Sequence, residues 1–419
     1  MTTTSSELGS CGGIERPAVL PRLAYIADVP IEKSFAGMLI VYRLFERYPP
    51  ERLHIFETTR SDAALRLPGV SYELLFRAAF RAMRTRFHAQ VTAIICLLAP
   101  VFAAILARRL RPLALEGIVT VSHGTSWQIA SRVARRLRLP LHVVNHDYWR
   151  ETVSLPKFMR PWLDRRFADV YRTSSQRFCV SPGMESYYHE LYGAPGHVLY
   201  PGRAAESRSA GSPVREGSKE FRIGYAGSFY DFFGPILNAV AEELDAIGGV
   251  LVVFSPPTPE GLRRKVLPAR NVRLEPPVAN NDEIVSRLQA SCDALIVPMP
   301  RSMGINVRVS FPSKLVDYTA TGLPVLIVGA PECSLRRWCS EHDAAIVVDE
   351  GDRAALRAAV RKLAADPGLR SAMGAKSRAV GEACFSYERT AGMFIRRLAQ
   401  HRASHRADDR VRDMSSAEV

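Results

Sequence analysis

The chain has 419 residues, 47% of them apolar, which suffices for two packed cores of ordinary size and excludes a disordered tether. A formal charge of +14 calls for an anionic neighbour, whether nucleic acid, an anionic membrane surface or a phosphorylated substrate. Seven scattered cysteines without a CxxC pair predict neither a disulfide framework nor a structural zinc, and suit a reducing compartment.

Residues 1–18 lack the basic-then-apolar order of a signal peptide and read as a disordered leader. LAYIADV (Leu23 to Val29) and LHIFETT (Leu53 to Thr59) then predict two strands. FRAAFRAMRTRFHA interleaves arginines with Phe76, Phe80 and Phe87, a pattern suited to an anionic bilayer or to phosphates. The apolar run from Val91 to Ala107 is short for a membrane span, contains Pro100 and runs into Arg108 and Arg109, so it predicts a buried or interfacial helix. GIVTVSH (Gly117 to His123) and LHVVNHD (Leu141 to Asp147) predict two more strands, joined by a stretch with helical apolar spacing. Strand, helix, strand with apolar strands is the signature of a parallel sheet covered on both faces. His123, His146 and Asp147 follow those strands, where such sheets place ligands. The tyrosines at 187, 188 and 192 are expected to pack.

Residues 204–220, rich in Ser, Gly and charge, predict a connector between a first domain, 19–203, and a second, 221–385. The second opens on FRIGYAGS and continues through GVLVVFSPP, NVRLEPP, CDALIVPM, LPVLIVG and AAIVVDE, six strand-like runs in an alternating series. Two amphipathic helical patterns follow Asp352. The last, 386–402, is expected to pack back toward the first domain, and 403–419 is a polar tail. The predicted class is α/β, with two doubly wound Rossmann-like domains facing a cleft.

The stretch VSFPSKLVDYTATGLPVLI (Val309 to Ile327) carries the most chemistry. A helix starting at Pro312 would leave Ser310 and Phe311 outside its first turn, and its free amides would suit an anion. Lys314 and Asp317 place a cation and a carboxylate about one turn apart on that helix. In FRIGYAGSFYDFFGP, Gly224, Gly227 and Ser228 let the backbone turn tightly beneath a phosphate, which Ser228 can also bind.

These motifs and their order resemble the GT-B glycosyltransferases, specifically the large retaining class of family 4 and its relatives, over about Ala24 to Leu398. The resemblance implies a metal-independent retaining transferase with a nucleotide-diphosphate sugar as donor and no further cofactor. Asp317 would hold the ribose, and Gly227, Ser228, Ser310, Phe311, Pro312 and Lys314 would surround the diphosphate, with Arg308 as a second cation. His146, supported by Asp147, would stand beside the reacting sugar, with His123 toward an unidentified acceptor. Two departures stand out. Val309 occupies the first position of the family's spaced glutamate pair, and Phe229, Tyr230, Asp231 and Phe232 replace an expected Arg and Lys. The alternatives are a degenerate GT-B protein binding an anionic glycan or membrane, and a sugar-nucleotide epimerase. No nucleic-acid module is visible, which sets nucleic acid aside. A cytoplasmic location is expected, peripheral at the inner face of the membrane where the basic helices meet lipid.

Overall fold

The computed structural model describes residues 20–34, 36–82, 85–206, 220–228, 230–256, 259–276, 278 and 281–400. The predicted leader, the polar tail and most of the connector lie outside them.

Seven strands form the first sheet: β1 (Leu23–Ala27), β2 (Leu53–Glu57), β3 (Ser71–Leu74), β4 (Gly117–Val121), β5 (Leu141–Asn145), β6 (Gln176–Cys179) and β7 (His197–Val198). Their order is β3-β2-β1-β4-β5-β6-β7, and every pairing is parallel. Six form the second: β8 (Arg222–Ala226), β9 (Val250–Phe254), β10 (Val272–Glu275), β11 (Ala294–Met299), β12 (Val325–Gly329) and β13 (Ile346–Asp349). These are also parallel throughout, in the order β10-β9-β8-β11-β12-β13. β1, β4, β5, β11 and β12 are buried along their whole length, which is why they read as mainly apolar runs. The direction of winding reverses between β1 and β4 and between β8 and β11. The crevices there, at the carboxyl ends of the strands, are where sheets of this kind hold ligands.

Past β13 the described residues form three helices rather than two: Arg353–Ala365, Pro367–Phe385 and one over 387–400. Asp366 separates the first two, its side chain accepting from the amide of Leu369 as the helix cap. The last helix returns to the first sheet, where the Phe394 ring lies 5.4 Å from Phe45 and 5.0 Å from Phe178.

The apolar run at Val91–Ala107 belongs to a longer helix than its sequence suggests, His88–Leu110, with Pro100 inside it. Its 23 residues reach about 34 Å, enough by length and composition to cross a membrane, so shortness is no argument against a span. One face of it is buried in the domain, through Cys96, Ala99, Ala103 and Leu106. Of the interleaved phenylalanines only Phe87 is exposed. Phe80 is buried, and Phe76 packs on Phe102 with ring centroids 4.4 Å apart.

Candidate active site

At the first switch point Asp28 follows β1 and binds the start of the helix Ser126–Leu137, which follows β4. Its carboxylate accepts from the amides of Thr125 and Ser126 (2.9 Å for Ser126), and from the Thr58 hydroxyl at 2.6 Å. Negative charge at a helix N-terminus is favourable, so this cap fixes the preceding loop, which carries His123. Gly124 makes the turn with φ +64°, a conformation other residues adopt at a cost.

His123 meets Asp147 there: its Nδ1 lies 3.2 Å from Asp147 Oδ2. His146, buried at the end of β5, brings Nε2 to 3.1 Å from the same oxygen, and the two imidazoles stack with centroids 5.8 Å apart. The structure therefore assembles all three residues singled out at these strand ends. Burial works to raise the Asp147 carboxyl, but the charge of His146 and hydrogen bonds from both imidazoles outweigh it and hold the group well below the ordinary carboxylate range. The ligand atoms of the three lie within 4.8 Å of one another, close enough to share one cation. Direct hydrogen bonds account for the same geometry. The helix Ala36–Phe45, which follows β1, presses its first turn on this group. A Cβ on Gly37 would come within 2.7 Å of His146 Nε2.

At the second switch point, Gly227 follows β8 with φ +148°. Lys314 reaches it from the helix Ser313–Thr321: a Cβ on Gly227 would stand 3.0 Å from Lys314 Nζ. That ammonium lies over the rings of Tyr225 (4.3 Å) and Phe233 (5.1 Å). No carboxylate among the described residues pairs with it, and burial pushes its pKa down to about 7. Tyr318, one turn further on, accepts from the amide of Ala226 at 2.7 Å, so one helix face clamps the end of β8. The Ser228 carbonyl accepts from Tyr225 at 2.9 Å.

The rest of the expected donor set is arranged differently. Pro312 stands just before the helix as its cap, at φ −62° and ψ 120°, and Ser313 is the first helical residue. The Phe311 side chain is unavailable to a ligand, because it packs among Tyr200, Trp338 and Phe385 with centroids 4.7 to 6.0 Å apart. Ser310 spends its hydroxyl on the carbonyl of Asn306 at 2.6 Å, and its own carbonyl accepts from Ser334. Val309 is fully buried, its carbonyl held by the Ser181 hydroxyl at 2.6 Å. Arg308 lines an interdomain cavity of about 220 Å³ with Glu190, Glu332, Ser334 and Arg337, instead of joining Lys314 at the glycine turn.

Asp317, one turn from Lys314, does not pair with it as an exposed i,i+3 pair would. Its carboxylate lies 3.6 Å from the guanidinium of Arg43, which also donates to the Gly202 carbonyl at 2.8 Å. Beside it Arg203 bridges Glu382 (2.7 Å) and Thr319 (3.1 Å). Neither arginine was singled out in the sequence, although Arg43 left a signal: it is the one charge in the apolar helix AGMLIVYRLF. Asp28 left a similar one as an acid directly after a buried strand. The helix Ala36–Phe45 thus touches His146 through Gly37 and Asp317 through Arg43, two points about 9 Å apart along its axis.

No family model matches the sequence, and no curated protein matches it. Solved structures do. HepE of Anabaena, in complex with UDP and glucose, has 13% identity and a TM-score of 0.65, over 90% of this chain and 99% of that one. Sucrose-phosphate synthase of Thermosynechococcus elongatus has 16% identity and a TM-score of 0.67, over 91% and 99%. The α,α-trehalose 6-phosphate synthase of Burkholderia multivorans has 14% identity and a TM-score of 0.61, over 93% and 99%. Agreement over the full length of these chains, with the two parallel sheets described above, gives this chain the GT-B fold.

Proposed function

We propose that the protein is a nucleotide-sugar glycosyltransferase of the retaining, family 4-like kind, with a uridine diphosphate sugar as the first donor to test. The observation that carries this reading is the pairing of two sites through one helix. A desolvated lysine without a carboxylate partner among the described residues stands at a glycine turn, and an imidazole–carboxylate–imidazole group stands at the opposite sheet edge. A half-buried, desolvated ammonium over two aromatic rings is costly unless an anion completes it, and a diphosphate is an anion of the right size and charge. HepE holds UDP and glucose in the same fold, which supports this choice of donor.

In the reaction, the bond from the anomeric carbon to the diphosphate breaks while an acceptor oxygen bonds to that carbon on the same face. The acceptor proton passes to the departing phosphate oxygen. Lys314 and the amides after Gly227 stabilise the negative charge that grows there. His146 orients the sugar and Asp147 holds His146 in place, while His123 borders the acceptor. Asp317 accepts from the ribose hydroxyls after exchanging its contact with Arg43. This chemistry runs without a metal, so chelation is expected to leave the activity unchanged.

The test is binding and turnover of UDP-, GDP-, ADP- and dTDP-sugars by the purified protein, its Lys314→Gln and its Asp317→Ala variants. Selective binding of one nucleotide, weakened about tenfold or more in each variant, is expected, since each removes a charged hydrogen-bonding partner. A folded protein that binds none of the four overturns the reading. Val309 favours a second reading, because an apolar side chain buried at the family's glutamate position cannot touch a sugar hydroxyl. Selective binding without any transfer or hydrolysis would select that binding-only protein.

A further inference from the structure

We propose that the helix His88–Leu110 docks the first domain on an anionic lipid bilayer, lying in the plane of the interface. The inference rests on this helix and its flanks and is independent of the transferase reading.

The outer face of the helix is apolar along its middle. Ile94, Leu97, Leu98, Val101 and Ile105 are 43–61% exposed, at the three- and four-residue spacing that puts them on one stripe. Phe87, 52% exposed, continues it at the N-terminal end. Scattered apolar residues on a surface need no explanation, but a contiguous stripe three turns long marks an interaction site. The inner face cannot be released to make a span. Cys96, Ala99, Ala103 and Leu106 are 0–1% exposed, and Gln128 of the helix Ser126–Leu137 donates to Cys96 Sγ at 3.1 Å. Insertion across a bilayer would strip this face out of the core that holds β1 and β4. The geometry therefore leaves one orientation, with the inner face on the protein and the outer face on lipid.

Charge selects the occupant. From residue 77 to residue 113 the sequence contains no Asp or Glu. Exposed Arg77, Arg81 and Arg86 precede the stripe, and exposed Arg108 and Arg111 follow it. Arg86 lies over the Phe87 ring at 4.8 Å. Arg109 is already paired with Glu73. Cations at both ends of an apolar middle match headgroup phosphates around the acyl boundary, with the arginine stems extending along the apolar surface. A nucleic acid would leave about 16 Å of apolar helix against a polar backbone. A second copy packed antiparallel on this face would set Arg86 against Arg108, with no acid on either side to compensate. The helix also runs from the end of β3 to the start of β4, so its Phe87 end lies at the same sheet edge as His123 and His146. Docking would bring that edge of the sheet close to the headgroups.

The experiment is flotation of the full chain with phosphatidylcholine vesicles, with and without phosphatidylglycerol, and light scattering of the protein alone. Binding that requires the anionic lipid is expected. Arg86→Gln with Arg108→Gln should weaken it about thirtyfold, from the loss of two charges at the surface. Leu97→Asp with Val101→Asp should abolish it, and Ile94→Gln with Ile105→Gln provides a milder variant if the acidic pair disturbs folding. Failure of the wild type to float with anionic vesicles overturns the proposal. So does wild-type binding by a folded variant of the apolar stripe, or a dimer in solution that the stripe substitutions convert to monomer without any vesicle binding.

Discussion

Lys314 concentrates the candidate site's chemistry in one atom. Its Nζ is desolvated and lies over Tyr225 and Phe233, and its pKa is pushed down to about 7 by burial from the ordinary value of 10.5. For the empty protein the charged form therefore prevails only below about pH 7. The affinity for UDP-glucose, a diphosphate diester that does not titrate near neutrality, should be highest at low pH. It should fall as pH rises through 7, approaching tenfold per unit where binding requires the proton. Isothermal titration from pH 6 to 9 would measure this, with proton uptake above pH 7, and Lys314→Gln should flatten the dependence. The sign for stability is opposite. The unfolded chain keeps the lysine protonated up to about pH 10, so between about pH 7 and 10 it binds the extra proton and folding gains stability as pH rises. Lys314→Met, which removes the desolvated charge while keeping the stem, should raise the melting temperature most at low pH while it abolishes donor binding. An unchanged melting curve would mean that the ammonium is solvated.

At the scale of elements, the helix Ala36–Phe45 sets the position of His146, and it does so through the absence of a side chain. Gly37→Ala would place a Cβ 2.7 Å from His146 Nε2, forcing the imidazole away from Asp147. The helix itself should gain roughly 1 kcal/mol in propensity from alanine, which offsets part of the packing cost. Turnover should therefore fall about a hundredfold, as displacing a positioned group by an ångström does, with donor affinity and melting temperature nearly unchanged. A comparable loss of donor affinity would mean that His146 binds the donor sugar in the ground state instead of acting mainly in the transition state. Elements whose signal is local could be read from the sequence. The buried strands β1, β4, β5, β11 and β12 are apolar runs, and the strand ends carrying His123, His146 and Asp147 follow from them. β3 and β6 left little mark, because SYEL and QRFC are short, mixed in polarity and only partly buried. The exposed stripe of His88–Leu110 was hidden for another reason: a helix apolar on both faces has no periodicity to show which face the core takes. The packing of Phe311, Ser310 and Arg308 is tertiary. Whether a loop side chain faces a ligand depends on what packs behind it, here Tyr200, Trp338, Phe385 and Ser334.

The whole molecule turns on what Asp317 faces. Its carboxylate lies 3.6 Å from the guanidinium of Arg43 in the first domain, although the position is the one expected to hold a ribose. Arg43 in turn holds Gly202, next to Arg203, which binds the second domain through Thr319 and Glu382. The pair therefore sits at the crossing between domains, where both side chains are largely buried. Breaking a buried pair by removing one partner leaves the other charge uncompensated and costs about 3–5 kcal/mol, whereas replacing both costs far less. Arg43→Met and Asp317→Asn should each destabilise the empty protein in urea, and the double variant by at least about 1 kcal/mol less than their sum. Donor binding supplies the second half of the argument. If Asp317 exchanges Arg43 for the ribose hydroxyls, the cross-domain pair competes with the donor, and weakening it gently should help the donor. Arg43→Lys, which keeps the charge but loses the fixed fork, is then expected to bind UDP-glucose more tightly than the wild type while unfolding at lower urea. Weaker binding in that variant would mean that Arg43 supports the donor site by holding Asp317 in position, and that the two domains are already set for the ligand.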